Sequence, residues 1–146
     1  MPYIGISMIN FLLLVLMALT IFGVPLKGSF ITLAIGAFLY VISTTGIGLL
    51  ISAFTRSQVA ALTAAAIGTT MPAVQFSGMV TPVSALTGVP AVMGHGFPMT
   101  YFLRVSVGTF TKGLGLGDLA GNLGWLCVFV LVLTGLSLVL LRKQEQ

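Results

Sequence analysis

Apart from three tyrosines, the titratable chemistry of this 146-residue chain comes down to two acids, one histidine, one cysteine and six basic residues. The acids, Asp118 and Glu145, fall at the edges of apolar runs rather than inside them. An acid–base enzyme within a membrane needs paired titratable groups, and a proton-coupled carrier keeps carboxylates or histidines in its spans. Neither pattern occurs, which argues against proton or ion translocation by this chain alone. His95, in Met93-Gly94-His95-Gly96-Phe97, has no metal-ligating or catalytic partner and reads as a polar residue in a glycine turn near an interface. Cys127 lies in an apolar run with no disulfide or metal partner, so it reads as a small apolar residue. The chain carries no Gly-x-Ser-x-Gly elbow and no Walker-type phosphate loop. No catalytic residue, cofactor or metal is expected, and any ATP-driven function requires a separate subunit.

The remaining polar candidates lie within apolar stretches. Asn10 and Gln75 are the strongest, and each costs several kcal/mol if left unsatisfied in lipid, so each is expected to face protein or a water-filled path. Ser43, Thr44 and Thr45 fall mid-span, where their hydroxyls are expected to bond helix backbone or a neighbouring helix; Thr44 is also a candidate to line a path. Small residues recur every four positions, as Thr44, Gly48 and Ser52 and again as Ala60, Ala64 and Gly68. Such stripes let helix backbones approach closely, and packing within the chain is the expected use.

These residues need a membrane to hold them. The chain is 58% hydrophobic and 5% charged, with a mean hydropathy of +1.17, so it cannot cover a water-facing surface. The basic residues Lys27, Arg56, Arg104, Lys112, Arg142 and Lys143 are scattered at the ends of apolar runs. They suit interfacial anchoring, and their dispersal argues against nucleic-acid binding. Spanning the hydrocarbon core takes about 20 helical residues. Apolar runs at residues 4–24, 30–54, 59–80 and 119–141 are long enough, and residues 1–146 are read as one transmembrane domain. The first run lacks a basic leader and a small-residue cleavage site, so it is read as a mature span.

Residues 82–112 differ from the runs around them. They include Pro82, Pro90 and Pro98 yet stay largely apolar. Each proline removes a donor and interrupts a helix, while the apolarity is too high for a solvated loop. A re-entrant helical hairpin packed at membrane depth is expected, with a short amphipathic helix over residues 100–111 opened by Pro98 and closed by Gly113. The fold class is therefore all-α: a polytopic membrane helix bundle of four transmembrane helices, with a proline-broken hairpin before the last.

Three stretches resemble the membrane subunit of type-2 ATP-binding-cassette (ABC) exporters, the ABC-2 permease family. They are Gly46-Ile47-Gly48-Leu49-Leu50-Ile51-Ser52 with the following Thr55-Arg56-Ser57-Gln58; Phe76-Ser77-Gly78-Met79-Val80-Thr81-Pro82; and Pro98-Met99-Thr100-Tyr101-Phe102-Leu103-Arg104. Their order and spacing match the family over nearly the whole chain. Phe97 departs from it, standing where the family often has asparagine.

The resemblance implies a permease component of an exporter, driven by an ABC ATPase subunit and paired with a second permease copy or homologous subunit. It implies a cytoplasmic turn at Thr55, Arg56, Ser57 and Gln58 that could contact the ATPase. It also implies an outer-gate hairpin involving Gly78, Pro82, Pro98, Tyr101 and Arg104. Both termini would be cytoplasmic in a bacterial inner membrane, an orientation that the even split of basic residues does not fix. The chain would match spans three to six of a six-span permease and so be truncated, lacking the N-terminal half with its ATPase-docking helix. A small assembly protein that merely packs with other membrane helices is the alternative. A fragment of a secondary transporter fits less well, for want of intramembrane charges.

Overall fold

The computed structural model describes residues 2–76, 83–85 and 87–144. Helices α1 (Pro2–Thr20), α2 (Phe30–Phe54) and α3 (Gln58–Phe76) lead into a broken segment, which holds a short 3-10 turn (Val83–Ala85), α4 (Val89–His95) and α5 (Pro98–Val107). A π-turn (Gly108–Lys112) then leads to α6 (Leu116–Gln144). The architecture is the expected all-helical membrane bundle. Among the described residues three helices are long and apolar enough to cross a bilayer, namely α1, α2 and α6 over Leu116–Lys143; α3 is a shorter apolar helix over Gln58–Met71. Residues 77–80 of the expected third span lie outside the described residues. Pro72, Thr69, Thr70 and Gln75 dilute the apolar character of α3, and Pro72 offers no N–H to the carbonyl of Gly68.

Local signals account for most boundaries. Helix α2 runs from Phe30 to Phe54. Its last turn is closed by the Thr55 hydroxyl, which donates to the Ile51 carbonyl, and Ser57 Oγ accepts from the Ala60 N–H at 3.4 Å to start α3. Helix α1 stops at Thr20, four residues short of the expected end. Gly23 adopts φ +60°, and the Val24 N–H reaches back to the Ala18 carbonyl at 3.1 Å, so the chain turns before the apolar run is exhausted. At the other end of the chain, α6 starts three residues early, with Asp118 in its first turn and Asp118 Oδ2 accepting from the Gly115 N–H at 3.3 Å.

Helices α2 and α6 form the spine. A Cβ on Gly36 would stand 3.5 Å from Leu123 Cδ2, and one on Gly46 would stand 3.1 Å from Leu133 Cβ. Equal steps along both helices fix them as parallel neighbours. On α6, Leu119, Leu123 and Leu126 are buried at spacings of four and three, and Leu133 and Ser137 continue the row. Helix α5 closes the upper part of the spine with Tyr101 and Val105, which complete a core with the three leucines. The seam also carries a polar bond: Ser137 Oγ donates to the Gly46 carbonyl at 3.1 Å, buried. Ser137→Ala is expected to cost about 1 kcal/mol, in the range for interhelical bonds in bilayers. Denaturation of the purified chain by a rising mole fraction of dodecyl sulfate would read that loss.

The small-residue stripes are not used as expected. Nothing lies within 4 Å of a Cβ built on Gly48 or Gly68, and Ala60 and Ala64 are exposed. Close packing falls instead on Gly36 and Gly46, which lie on another face of α2.

Candidate functional site

The parallel course of α2 and α6 sorts the polar features to two ends. At one end the Thr55–Gln58 turn borders an open groove shared with Tyr3, at the start of α1, and Ser52. Arg56, Ser57 and Gln58 are exposed there, and Thr55 is half-buried. The C-terminal end of α6 points the same way. At the opposite end the α1–α2 turn meets the close of the hairpin: the Gly28 N–H donates to the Thr109 carbonyl at 2.8 Å.

The hairpin is built by its punctuation. Gly96 ends α4, donating its N–H to the carbonyls of Val92 and Met93 at 2.9 and 3.1 Å. Phe97 is extended, and Pro98 takes the first turn of α5 as expected. Phe97 makes no side-chain cap; its carbonyl accepts from the Thr100 N–H at 3.2 Å, and the Thr100 hydroxyl donates to the Gly94 carbonyl. The corner is thus held by backbone acceptors where asparagine could have served. At its far end the hairpin helix widens into the π-turn and stops at Gly113, φ +64°, the stop read from the sequence.

Of the outer-gate candidates, Pro98 and Tyr101 are buried and Arg104 is exposed, while Gly78 and Pro82 lie outside the described residues. Tyr101 links the hairpin to α6. Its ring centroid stands 5.9 Å from that of Trp125 and 5.7 Å from that of Phe129, and its hydroxyl donates to the His95 carbonyl at 3.0 Å. The Arg104 guanidinium carbon lies 5.9 Å from the centre of the same ring.

Between α2, α3 and the α4–α5 corner lies a cavity of about 390 Å³. Tyr40, Thr44, Thr69, Val74, Pro98 and Met99 are among its lining. It is mainly apolar, and its hydroxyls are partly committed: Thr44 donates to the Tyr40 and Val41 carbonyls at 3.0 Å, and Thr69 to the Ala65 carbonyl. Tyr40 stacks on Phe102 at 4.7 Å and 11°, and its hydroxyl lies 3.2 Å from Met99 Sδ. This aromatic–thioether wall can hold an apolar or aromatic guest through dispersion and ring contacts. The sequence marks Thr44 but not Tyr40, Met99 or Phe102; a tyrosine one turn before a mid-span Ser-Thr-Thr was the available signal.

Asn10 and Gln75 do not face protein in this chain, for both are exposed. Asn10 sits on a helix that is little covered: Val15 is the one buried residue of α1, with Ile4, Ser7, Met8, Phe11 and Ala18 half-buried. The Asn10 amide then requires a second chain or water.

Comparison with known proteins bears on the whole arrangement. A family model described as ABC-2 family transporter protein matches residues 2–139. A protein of Escherichia coli K12 named "Probable multidrug ABC transporter permease YbhS" is 32% identical over 112 residues, covering 77% of this chain and 30% of that protein. Its namesake in Escherichia coli O157:H7 matches equally. The chain therefore spans under a third of the length of the curated relatives it matches. No solved structure matches significantly. With the family model covering nearly every residue of this membrane bundle, the chain belongs to the ABC-2 transporter family.

Proposed function

We propose that the chain forms part of the translocation path of an ABC exporter, in a bacterial inner membrane, driven by a separate ATPase subunit and completed by a second permease copy or homologous subunit. The family match over residues 2–139 carries this reading. The polar turn of Thr55, Arg56, Ser57 and Gln58 at one end would meet the ATPase on the cytoplasmic side, together with both termini. The hairpin, with Pro98, Tyr101 and Arg104 and with Gly78 and Pro82 at its approach, would shape the outer gate.

The packing suggests how movement divides. Helices α2, α5 and α6 interlock through Gly36, Gly46 and Tyr101, whereas α3 shares a cavity with α2 and α1 buries only Val15. In alternating access, α1 and α3 would move against a rigid α2–α5–α6 unit as the ATPases close. The Escherichia coli relatives are named multidrug permeases, and the apolar cavity beside Tyr40 and Met99 suits an amphiphilic cargo of that kind. Exposed Asn10 and Gln75 fit contact with further permease helices, including an N-terminal half.

Co-purification tests the reading. The tagged chain, expressed in a bacterial host and purified from its membranes, should recover an ABC ATPase subunit, and Arg56→Glu should lower recovery about tenfold, equivalent to about 1.4 kcal/mol. Nucleotide hydrolysis by the purified chain alone would count against it. Failure to recover any ABC ATPase would favour a helix-packing assembly role.

A further inference from the structure

Below the Arg104 side of the hairpin runs an open groove of about 750 Å³, lined by His95, Tyr101, Arg104, Asp118, Asn122 and Trp125 among others. Asp118, Asn122 and Trp125 share one face of α6 at helical spacing, and Tyr101 and Arg104 share one face of α5. The groove therefore gathers a cation, an acid and two rings from separate elements. Its opposite charges do not neutralise each other. Among the described residues the Arg104 guanidinium lies over the Tyr101 ring with no hydrogen bond or ion pair, and the Asp118 carboxylate accepts only from the Gly115 N–H, through one oxygen.

We propose that this groove binds the headgroup of a zwitterionic aminophospholipid, a phosphate ester bearing a primary amine. The Arg104 guanidinium presents a planar fork of donors to the phosphate. Asp118 keeps a free carboxylate oxygen to accept from the ammonium, and the Asn122 amide can serve either group. Depth fits as well. Asp118 lies in the first turn of α6, and Trp125 lies about 10 Å further along the axis, a span comparable to the step from headgroup to acyl region. Trp125 is 55% exposed, an amphipathic ring suited to the interface, with one face toward Tyr101 and the remainder open to lipid. A primary amine is preferred to a trimethylammonium because the groove supplies acceptors, which need N–H donors. It does not supply an aromatic cage, since Arg104 and Trp125 already engage the Tyr101 ring. The site does not depend on export and would exist whatever cargo the assembly carries.

Trp125 is the chain's single tryptophan and reports directly on its own groove. The chain, purified in dodecyl maltoside, would be titrated with dihexanoyl phosphatidylethanolamine, its phosphatidylglycerol counterpart and inorganic phosphate while tryptophan emission is followed. A saturable change is expected, with phosphatidylethanolamine binding about tenfold more tightly than phosphatidylglycerol and phosphate alone binding far more weakly. Arg104→Gln should weaken both lipids, and Asp118→Asn should remove only the preference between them; circular dichroism checks that both variants fold. Equal affinity for the two lipids, or phosphate binding as tightly as lipid, overturns the proposal, as does the absence of saturation. The wild-type preference decides the matter even if a variant misfolds.

Discussion

Tyr101→Ala is expected to lower the stability of the chain by about 3 kcal/mol, within the usual cost of deleting a buried aromatic ring. Three contacts go at once: the ring against Trp125 and Phe129, the core with Val105, Leu119, Leu123 and Leu126, and the hydroxyl bond to His95. The loss is not softened by lipid, because Tyr101 is only 6% exposed and packs protein against protein. Aromatic pairs add about 0.5–1.5 kcal/mol beyond area burial, so a cavity here forfeits directional contacts as well as volume. Tyr101→Phe keeps the ring and should cost about 1 kcal/mol, the net worth of one hydrogen bond. Dodecyl sulfate titration followed by circular dichroism measures both. Trp125 emission should shift in the alanine variant before any denaturant is added. Unfolding of Tyr101→Ala at the wild-type midpoint would remove Tyr101 as the link between hairpin and bundle.

What the sequence makes legible here is local, and what it hides is pairwise. The turn at Thr55 follows α2, Pro98 opens the hairpin's second helix and Gly113 closes the helical run, all from residue types at fixed positions. Turn chemistry acts within four or five residues, so it can be read without knowing the neighbours. Which face of a helix meets which partner is another matter. In a water-soluble bundle the buried face is the apolar one, and amphipathicity reveals it. In lipid every face is apolar, and that signal vanishes. The spacing of four therefore marks Gly48 on α2 and Gly68 on α3, where a Cβ meets nothing within 4 Å, while the close approach falls on Gly36 and Gly46, which no such spacing marks. For the same reason the Tyr40–Phe102–Met99 wall and the Ser137–Gly46 bond could not be foreseen, for each joins residues far apart in the chain. The end of α1 was overestimated because apolarity runs on past the point where Gly23 turns the backbone.

Gly28→Val tests a seam where two turns, rather than two helices, hold the bundle together. A Cβ at Gly28 would meet the Leu114 carbonyl oxygen at 2.8 Å and the Thr109 carbonyl oxygen at 2.9 Å. Both obstacles are backbone, so no rotamer change relieves them, and the α1–α2 turn must withdraw from the hairpin. Withdrawal also breaks the Gly28 N–H bond to Thr109, and it separates Gly113 from Lys27, whose carbonyl lies 3.1 Å from where a Gly113 Cβ would be. Overpacking typically costs 1–3 kcal/mol, and the lost bond adds to it, so a total of about 3 kcal/mol is expected. Gly48→Ala provides the contrast. It sits inside a helix with nothing within 4 Å, so it should gain about 0.5–1 kcal/mol from reduced backbone freedom in the unfolded state. Opposite signs from two glycine substitutions, read in one dodecyl sulfate titration, would separate steric approach from helix propensity. If Gly28→Val were as stable as the parent, α2 and α6 would hold the hairpin without the turn. The rigid unit proposed to oppose α1 and α3 would then lose its tie to the turn between α1 and α2, and motion of α1 could no longer pass to the outer gate through that turn.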